Sequence, residues 1–231
     1  MTSTLEDEGL NVLTRDGQAA LRVADGLRDL ILGGDIAPGT RLRQEEIAAQ
    51  FGSSRVPVRE ALKLLETEGL VTLVANAGAW VSQLSLEECE EIYRTRERVE
   101  PLLLRLAAPT LTPETLDRLQ STAEAMAEGV SVEEFLALDR QFHLGMYESA
   151  HTRVLGELVP RLWNMTQPYR RAYSIMAGAS SQRVVHDEHN LILWALREGD
   201  VDTAERVLTG HIRRTRRHLA MHPEIFTNGA D

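Results

Sequence analysis

Residues 51–71 read FGSSRVPVREALKLLETEGLV. Within them Val58, Ala61, Leu62 and Leu65 recur at i, i+3, i+4 and i+7, the spacing of one buried helix face. Arg55, Arg59 and Lys63, four apart, therefore form a basic stripe on the outward face. Lys63 is the only lysine in the chain. Ser54 is placed to cap the helix, and Pro57 is tolerated in a first turn whose N–H groups have no intrahelical partner. Gly69 ends the helix.

Upstream, Leu21, Ala24, Leu27 and Ile31 mark a helix that stops at Gly33-Gly34 and Pro38-Gly39. The next helix runs from about Gln44 to Phe51 and ends at Gly52, so only a short Gly-Ser-Ser link separates it from the helix at Arg55. Two helices meeting at so tight a turn make a helix-turn-helix. Downstream, residues 71–82, VTLVANAGAWVS, are two β-prone runs around Asn76-Ala77-Gly78, a hairpin. Residues 19–82 thus read as a winged helix-turn-helix, preceded by a flexible acidic tail over 1–18.

Residues 83–231 hold six helical patterns, near 85–108, 113–128, 132–149, 151–177, 181–198 and 201–221. Two open with capping boxes, Ser85 with Glu88 and Ser131 with Glu134. The fold class is mainly α: a winged helix-turn-helix with a small hairpin wing, then an all-α six-helix bundle.

The 231 residues include 25 basic and 35 acidic side chains, net −10. That balance opposes broad nucleic-acid binding but leaves room for a local footprint, because charges are screened beyond about 8 Å at physiological salt. No apolar run approaches the roughly 18 residues of a membrane span, and the start, MTSTLEDEGLNVL, lacks the pattern of a signal peptide. The expected location is the cytoplasm. Cys89, the single cysteine, has no internal disulfide partner and reads as a small core residue.

A basic stripe alone is most often a solvated face. Framed by a tight turn and a hairpin, it reads as a recognition helix, with Arg55 and Arg59 reaching base edges or phosphates and Ser54 on a phosphate at the helix start. The stretch PGTRLRQEEIAAQFGSSRVPVREALKLLETEGLV closely resembles the DNA-binding domain of GntR-family bacterial transcription regulators, over most of residues 20–82. The resemblance implies operator contacts from Arg55 and Arg59 and a wing brought near the minor groove at Gly78. One departure is Ala77, where that family usually carries a basic residue. It shifts the expected grip on phosphate from the wing toward the helix.

In the second region, polar residues interrupt apolar stripes. Asp139 and His143 fall one turn apart among Val132, Phe135, Leu136, Phe142 and Met146. His189 lies among Val185, Ile192 and Leu196. His211 continues Ala204 and Leu208, and Arg96 interrupts Cys89, Ile92, Val99, Leu103 and Leu106. A lone histidine in such a stripe is usually a satisfied core residue. Five polar intrusions on four helices are economically placed if they face one another, because an unpartnered buried charge costs several kcal/mol.

One aspartate and three histidines converging in a bundle make a divalent transition-metal site, suited to zinc, nickel, iron or manganese, with zinc expected in purified protein. Arg96 beside it would take a carboxylate by a two-point contact. His186 and His218 are alternative ligands or supports. Pro101 should kink the first of these helices after Arg96.

The segments IYRTRERVEP, LDRQFH, DEHNLILWALREGD and HIRR resemble the FCD effector domain of the FadR subgroup of GntR regulators, in its shorter, VanR-like six-helix form. By position, the resemblance makes Asp139, His143, His189 and His211 the metal ligands and Arg96 the first-helix arginine. It implies a homodimer that binds a small organic acid at the metal. The reading is a ligand-responsive regulator, a repressor, on a short inverted repeat of double-stranded DNA. Two other readings use the same residues: a metal-dependent enzyme, against which no base or nucleophile motif stands near the ligands, and a purely structural metal, with Glu100 as the acid partner of Arg96.

Overall fold

The computed structural model describes residues 15–177 and 179–226. Helix α1 (Arg15–Gly33) leads to a two-residue strand β1 (Arg41–Leu42), then α2 (Gln44–Gln50) and α3 (Arg55–Thr67), then strands β2 (Val71–Val74) and β3 (Gly78–Val81). Six helices follow: α4 (Leu86–Ala107), α5 (Pro113–Ala127), α6 (Val132–Tyr147), α7 (Arg153–Ala177), α8 (Ala179–Arg197) and α9 (Val201–Ala220). The tail expected over 1–18 is corrected at its end, since residues 15–18 form the first turn of α1. Residues 1–14 lie outside the described residues.

The wing has a third strand that periodicity did not indicate. β1 pairs antiparallel with β3, Arg41 opposite Trp80 and Leu42 opposite Ala79, and β2 pairs antiparallel with the other edge of β3. Alternation puts Leu42 and Ala79 into the core and Arg41 and Trp80 on the outer face. The β2–β3 turn has Asn76 at φ 60°, the left-handed region that asparagine tolerates well.

Two cores form. Val23, Leu27 and Ile31 of α1 pack on Val58, Leu62 and Leu65 of α3 and on the sheet. The bundle core gathers Tyr93, Leu104, Phe142, Met146, Trp163, Ile192 and Leu208. Cys89 belongs to it, and burial pushes its thiol up to about 12, which makes it an unreactive core residue. Leu106, placed in the apolar stripe of α4 by spacing, is exposed. α4 runs unbroken through Pro101.

The capping box at Ser85 is complete in both directions. At Ser131 the hydroxyl accepts from the Glu134 N–H. Ser54 occupies the N-cap of α3, but its side chain forms no capping bond. Pro57, at the third helical position, has no N–H to donate, which removes one of the two usual partners of such a cap.

The end of α3 rests on α7. Gly69, at φ +79°, follows α3, and a Cβ there would lie 2.9 Å from Met165 Cγ and 3.0 Å from Arg161 Cγ. The Asn164 amide donates to the Glu68 carbonyl at 2.9 Å. Tyr169 fixes the linker, its hydroxyl accepting from the Leu84 N–H at 2.5 Å and donating to the Leu84 carbonyl at 3.2 Å.

Candidate functional site

The outward stripe of α3 is solvent-facing, as its spacing requires. The side chains of Arg55, Arg59 and Lys63 are 69%, 61% and 55% exposed. Each has an acidic neighbour: Arg55 lies 2.6 Å from Glu45 of α2, and Lys63 and Arg59 lie 3.0 and 3.8 Å from Glu60. Exposed pairs of this kind are worth about 0–1 kcal/mol, so these acidic neighbours leave the three cations open to exchange with another anion. Gly78 sits at the wing, across a cleft of about 470 Å³ that Arg59 and Lys63 also line.

The second constellation is buried. Asp139 and His143 of α6, His189 of α8 and His211 of α9 bring one ligand atom each within 4.8 Å of all the others. They are 1%, 1%, 0% and 6% exposed. His189 Nε2 lies 3.3 Å from His143 Nε2 and 3.5 Å from Asp139 Oδ1, and His143 Nε2 lies 3.7 Å from the same oxygen. The edge of a tetrahedron with ligand bonds of 2.0–2.1 Å is about 3.3–3.4 Å. Two facing Nε2 atoms cannot both carry a proton, whereas a cation between them satisfies both lone pairs. The residues fit a divalent transition metal.

Protonation agrees with that fit. Burial pushes His189 down to about 3 and holds His143 well below the ordinary imidazole range, so both are neutral and able to ligate. Burial by itself raises the Asp139 carboxyl, but the Arg170 guanidinium beside it prevails and holds the group well below the usual carboxylate range. His211 Nδ1 donates to Glu188 Oε2 at 2.7 Å, which turns its Nε2 lone pair inward. Burial raises Glu188, yet hydrogen bonds from His211 and Arg214 prevail and bring it down to about 2.

A pH dependence follows for metal-stripped protein. Both histidines titrate near 6.5 in the unfolded chain and lower in the fold, so from about pH 6.5 to about 3 the unfolded chain binds protons that the folded one excludes. The histidine contribution to stability should be complete above pH 6.5 and decline as pH falls through that window. Urea midpoints measured from pH 7.5 to 4 check this; a flat profile down to pH 5 contradicts it.

Arg96 lies in the same region but is engaged. It is 2% exposed, its Nε donates to Glu100 at 2.5 Å and its Nη1 to Thr166 Oγ1 at 3.1 Å. Glu100 also accepts from the Tyr147 hydroxyl at 2.9 Å and from Trp163 Nε1 at 3.2 Å. The arginine on Asp139 is Arg170 of α7, which the sequence reading missed. The guanidinium carbons of Arg96 and Arg170 lie over Trp163, 4.3 and 4.5 Å from its centroid, and Trp163 in turn lies 5.1 Å from the ring of His143. His186 bonds to Asn190 and the Ala123 carbonyl, and His218 to the Tyr173 hydroxyl, so both alternatives stand apart from the cluster.

A winged helix joined to an all-helical bundle is the architecture of a DNA-binding regulator with a second, helical domain. Residues 19–81 match the family model described as bacterial regulatory proteins, gntR family, and residues 91–214 match the FCD domain. The chain is 33% identical over 200 residues to a probable D-xylose utilization operon transcriptional repressor of Paenarthrobacter nicotinovorans, covering 82% of this chain and 85% of that protein. It is 31% identical over 210 residues to an HTH-type transcriptional regulator in an unstable DNA locus of Streptomyces ambofaciens, covering 88% of each. The solved structure of Escherichia coli McbR/YncC superposes with a TM-score of 0.78 at 25% identity, covering 88% of this chain and 98% of that one. The chain belongs to the GntR family of bacterial transcription regulators and carries an FCD domain; it is a DNA-binding regulator, not an enzyme. No helix among the described residues is long and apolar enough to cross a membrane.

Proposed function

We propose that this regulator is a cytoplasmic homodimeric repressor, of the FadR subgroup in its VanR-like form, whose operator affinity falls when a small carboxylate binds in the bundle. Asp139, His143, His189 and His211 hold a divalent transition metal, zinc in purified protein, and Arg96 and Arg170 supply fixed positive charge beside it. Bound there, the metal offers Lewis-acid sites to the carboxylate oxygens. Glu100 holds Arg96 in position, and the Trp163 ring carries both guanidinium groups. Arg55, Arg59 and Ser54 contact the operator, with the Gly78 wing alongside.

The observation that carries this reading is the buried cluster of Asp139, His143, His189 and His211, and a short hydrogen-bond chain joins the helix that bears two of its members to the end of the recognition helix. Arg140, next to Asp139 on α6, donates to Asn164 Oδ1 at 2.8 Å, and the Asn164 amide donates to the Glu68 carbonyl beyond the last turn of α3. Burial and the neighbouring Arg170 lower Arg140 to about 10, so the guanidinium keeps its charge at neutral pH and lies within the field of Arg170, the partner of Asp139. A carboxylate that repositions Arg170 or α6 alters the seat of α3. Two recognition helices then leave the spacing of about 34 Å that successive major grooves require.

Asn164→Ala tests the coupling. Metal content and operator affinity without effector should match wild type, while the carboxylate-induced loss of affinity should shrink several-fold, because the effector then favours neither seat of α3 strongly. An undiminished response in Asn164→Ala would place the coupling elsewhere.

A further inference from the structure

The outer face of the wing carries a cation with no acidic partner among the described residues. Arg41 is exposed on β1, opposite Trp80. Its Nη2 donates to the Ala77 carbonyl at 3.0 Å, and its guanidinium carbon lies 5.6 Å from the Trp80 ring centroid. The two contacts hold the charge at the wing tip: Nε and Nη2 each lie 3.7 Å from where a Cβ on Gly78 would stand. The tip itself, Val74–Gly78, contains no charged residue.

The other basic side chains of this face contrast with Arg41. Arg43 lies 3.1 Å from Glu46, Arg55 2.6 Å from Glu45, and Lys63 and Arg59 lie 3.0 and 3.8 Å from Glu60. A phosphate approaching any of these competes with a carboxylate. At Arg41 it competes only with a neutral carbonyl. The cleft between α3 and the wing has Arg59 and Lys63 on one wall and the tip on the other, so a duplex lying along the α3 stripe also meets the tip.

We infer that Arg41 is the wing's phosphate contact, gripping the sugar–phosphate backbone beside the groove that α3 reads. The stack on Trp80 orients the guanidinium before DNA arrives, which reduces the ordering required at binding. A contact to phosphate fixes the orientation of the domain on the duplex and carries no base preference. The positive charge at the tip of the wing thus comes from a neighbouring strand.

The experiment uses full-length protein and a fluorescent duplex that wild type selects from a random library, with affinity measured from about 50 to 200 mM salt. Arg41→Ala should weaken binding about tenfold at the low-salt end and reduce the log–log salt slope by about one, while Arg41→Lys retains the slope. Arg41→Gln keeps a donor for the Ala77 carbonyl and should lose the same slope, which separates charge from wing folding. Arg41→Gln with wild-type slope and affinity would overturn the inference. Weakened binding with an unchanged slope in both neutral variants would also overturn it, because Arg41 would then shape the wing without touching phosphate.

Discussion

Arg55→Ala and Arg59→Ala should each weaken binding to a selected operator duplex by roughly ten- to a hundredfold, the equivalent of about 1–3 kcal/mol for a bidentate arginine–guanine contact. Both side chains are more than half exposed, and their pairs with Glu45 and Glu60 lie at the surface. Their loss should leave folding and metal content unchanged. The discrimination between operator and mismatched duplexes should narrow, because these residues sit on the first two turns of α3, the part of a recognition helix that meets base edges. Fluorescence anisotropy at fixed salt measures both quantities. Affinity within about twofold of wild type in both variants would remove α3 from the recognition role.

Glu100→Ala is expected to be the most destabilising single change in the bundle. The carboxylate is fully buried and accepts from Arg96, Tyr147 and Trp163. Its removal leaves Arg96 buried without a countercharge, and breaking a buried pair from one side costs about 3–5 kcal/mol. At this chain length the melting temperature should fall on the order of 10 °C. The double change Arg96→Met with Glu100→Leu removes both charges and should be milder than Glu100→Ala alone, since an apolar pair of similar volume needs no solvation. Calorimetry of the three proteins decides. A loss below about 1 kcal/mol in Glu100→Ala would mean that Glu100 does not hold Arg96.

Much of this architecture is legible in local patterns. The i, i+3, i+4 spacing in 51–71 sets both the buried face of α3 and its outward basic stripe, and all six bundle helices lie close to their apolar periodicities. The histidine and aspartate positions were readable because they interrupt otherwise clean stripes. Arg170 was not. It lies on α7, which buries Asn164, Thr166 and Gln167 as well as Trp163 and contains Pro160 and Pro168, so no single stripe marks which face is inward. Its partner Asp139 is 31 residues away. β1 escaped for a different reason: two residues have no periodicity, and only pairing with β3 makes Arg41–Leu42 a strand. One lost partner of the cap at Ser54 was present in the sequence as Pro57, whose lack of an N–H matters only once the helix register is known.

The most direct test of the account compares wild type with His189→Ala: metal per chain, and operator affinity with and without a panel of small carboxylates. Wild type should carry one equivalent of a divalent transition metal and respond to a carboxylate that weakens its operator binding. Both should vanish in His189→Ala, with effector-free DNA binding retained. A metal-free wild type, or a carboxylate response that survives in His189→Ala, would contradict it.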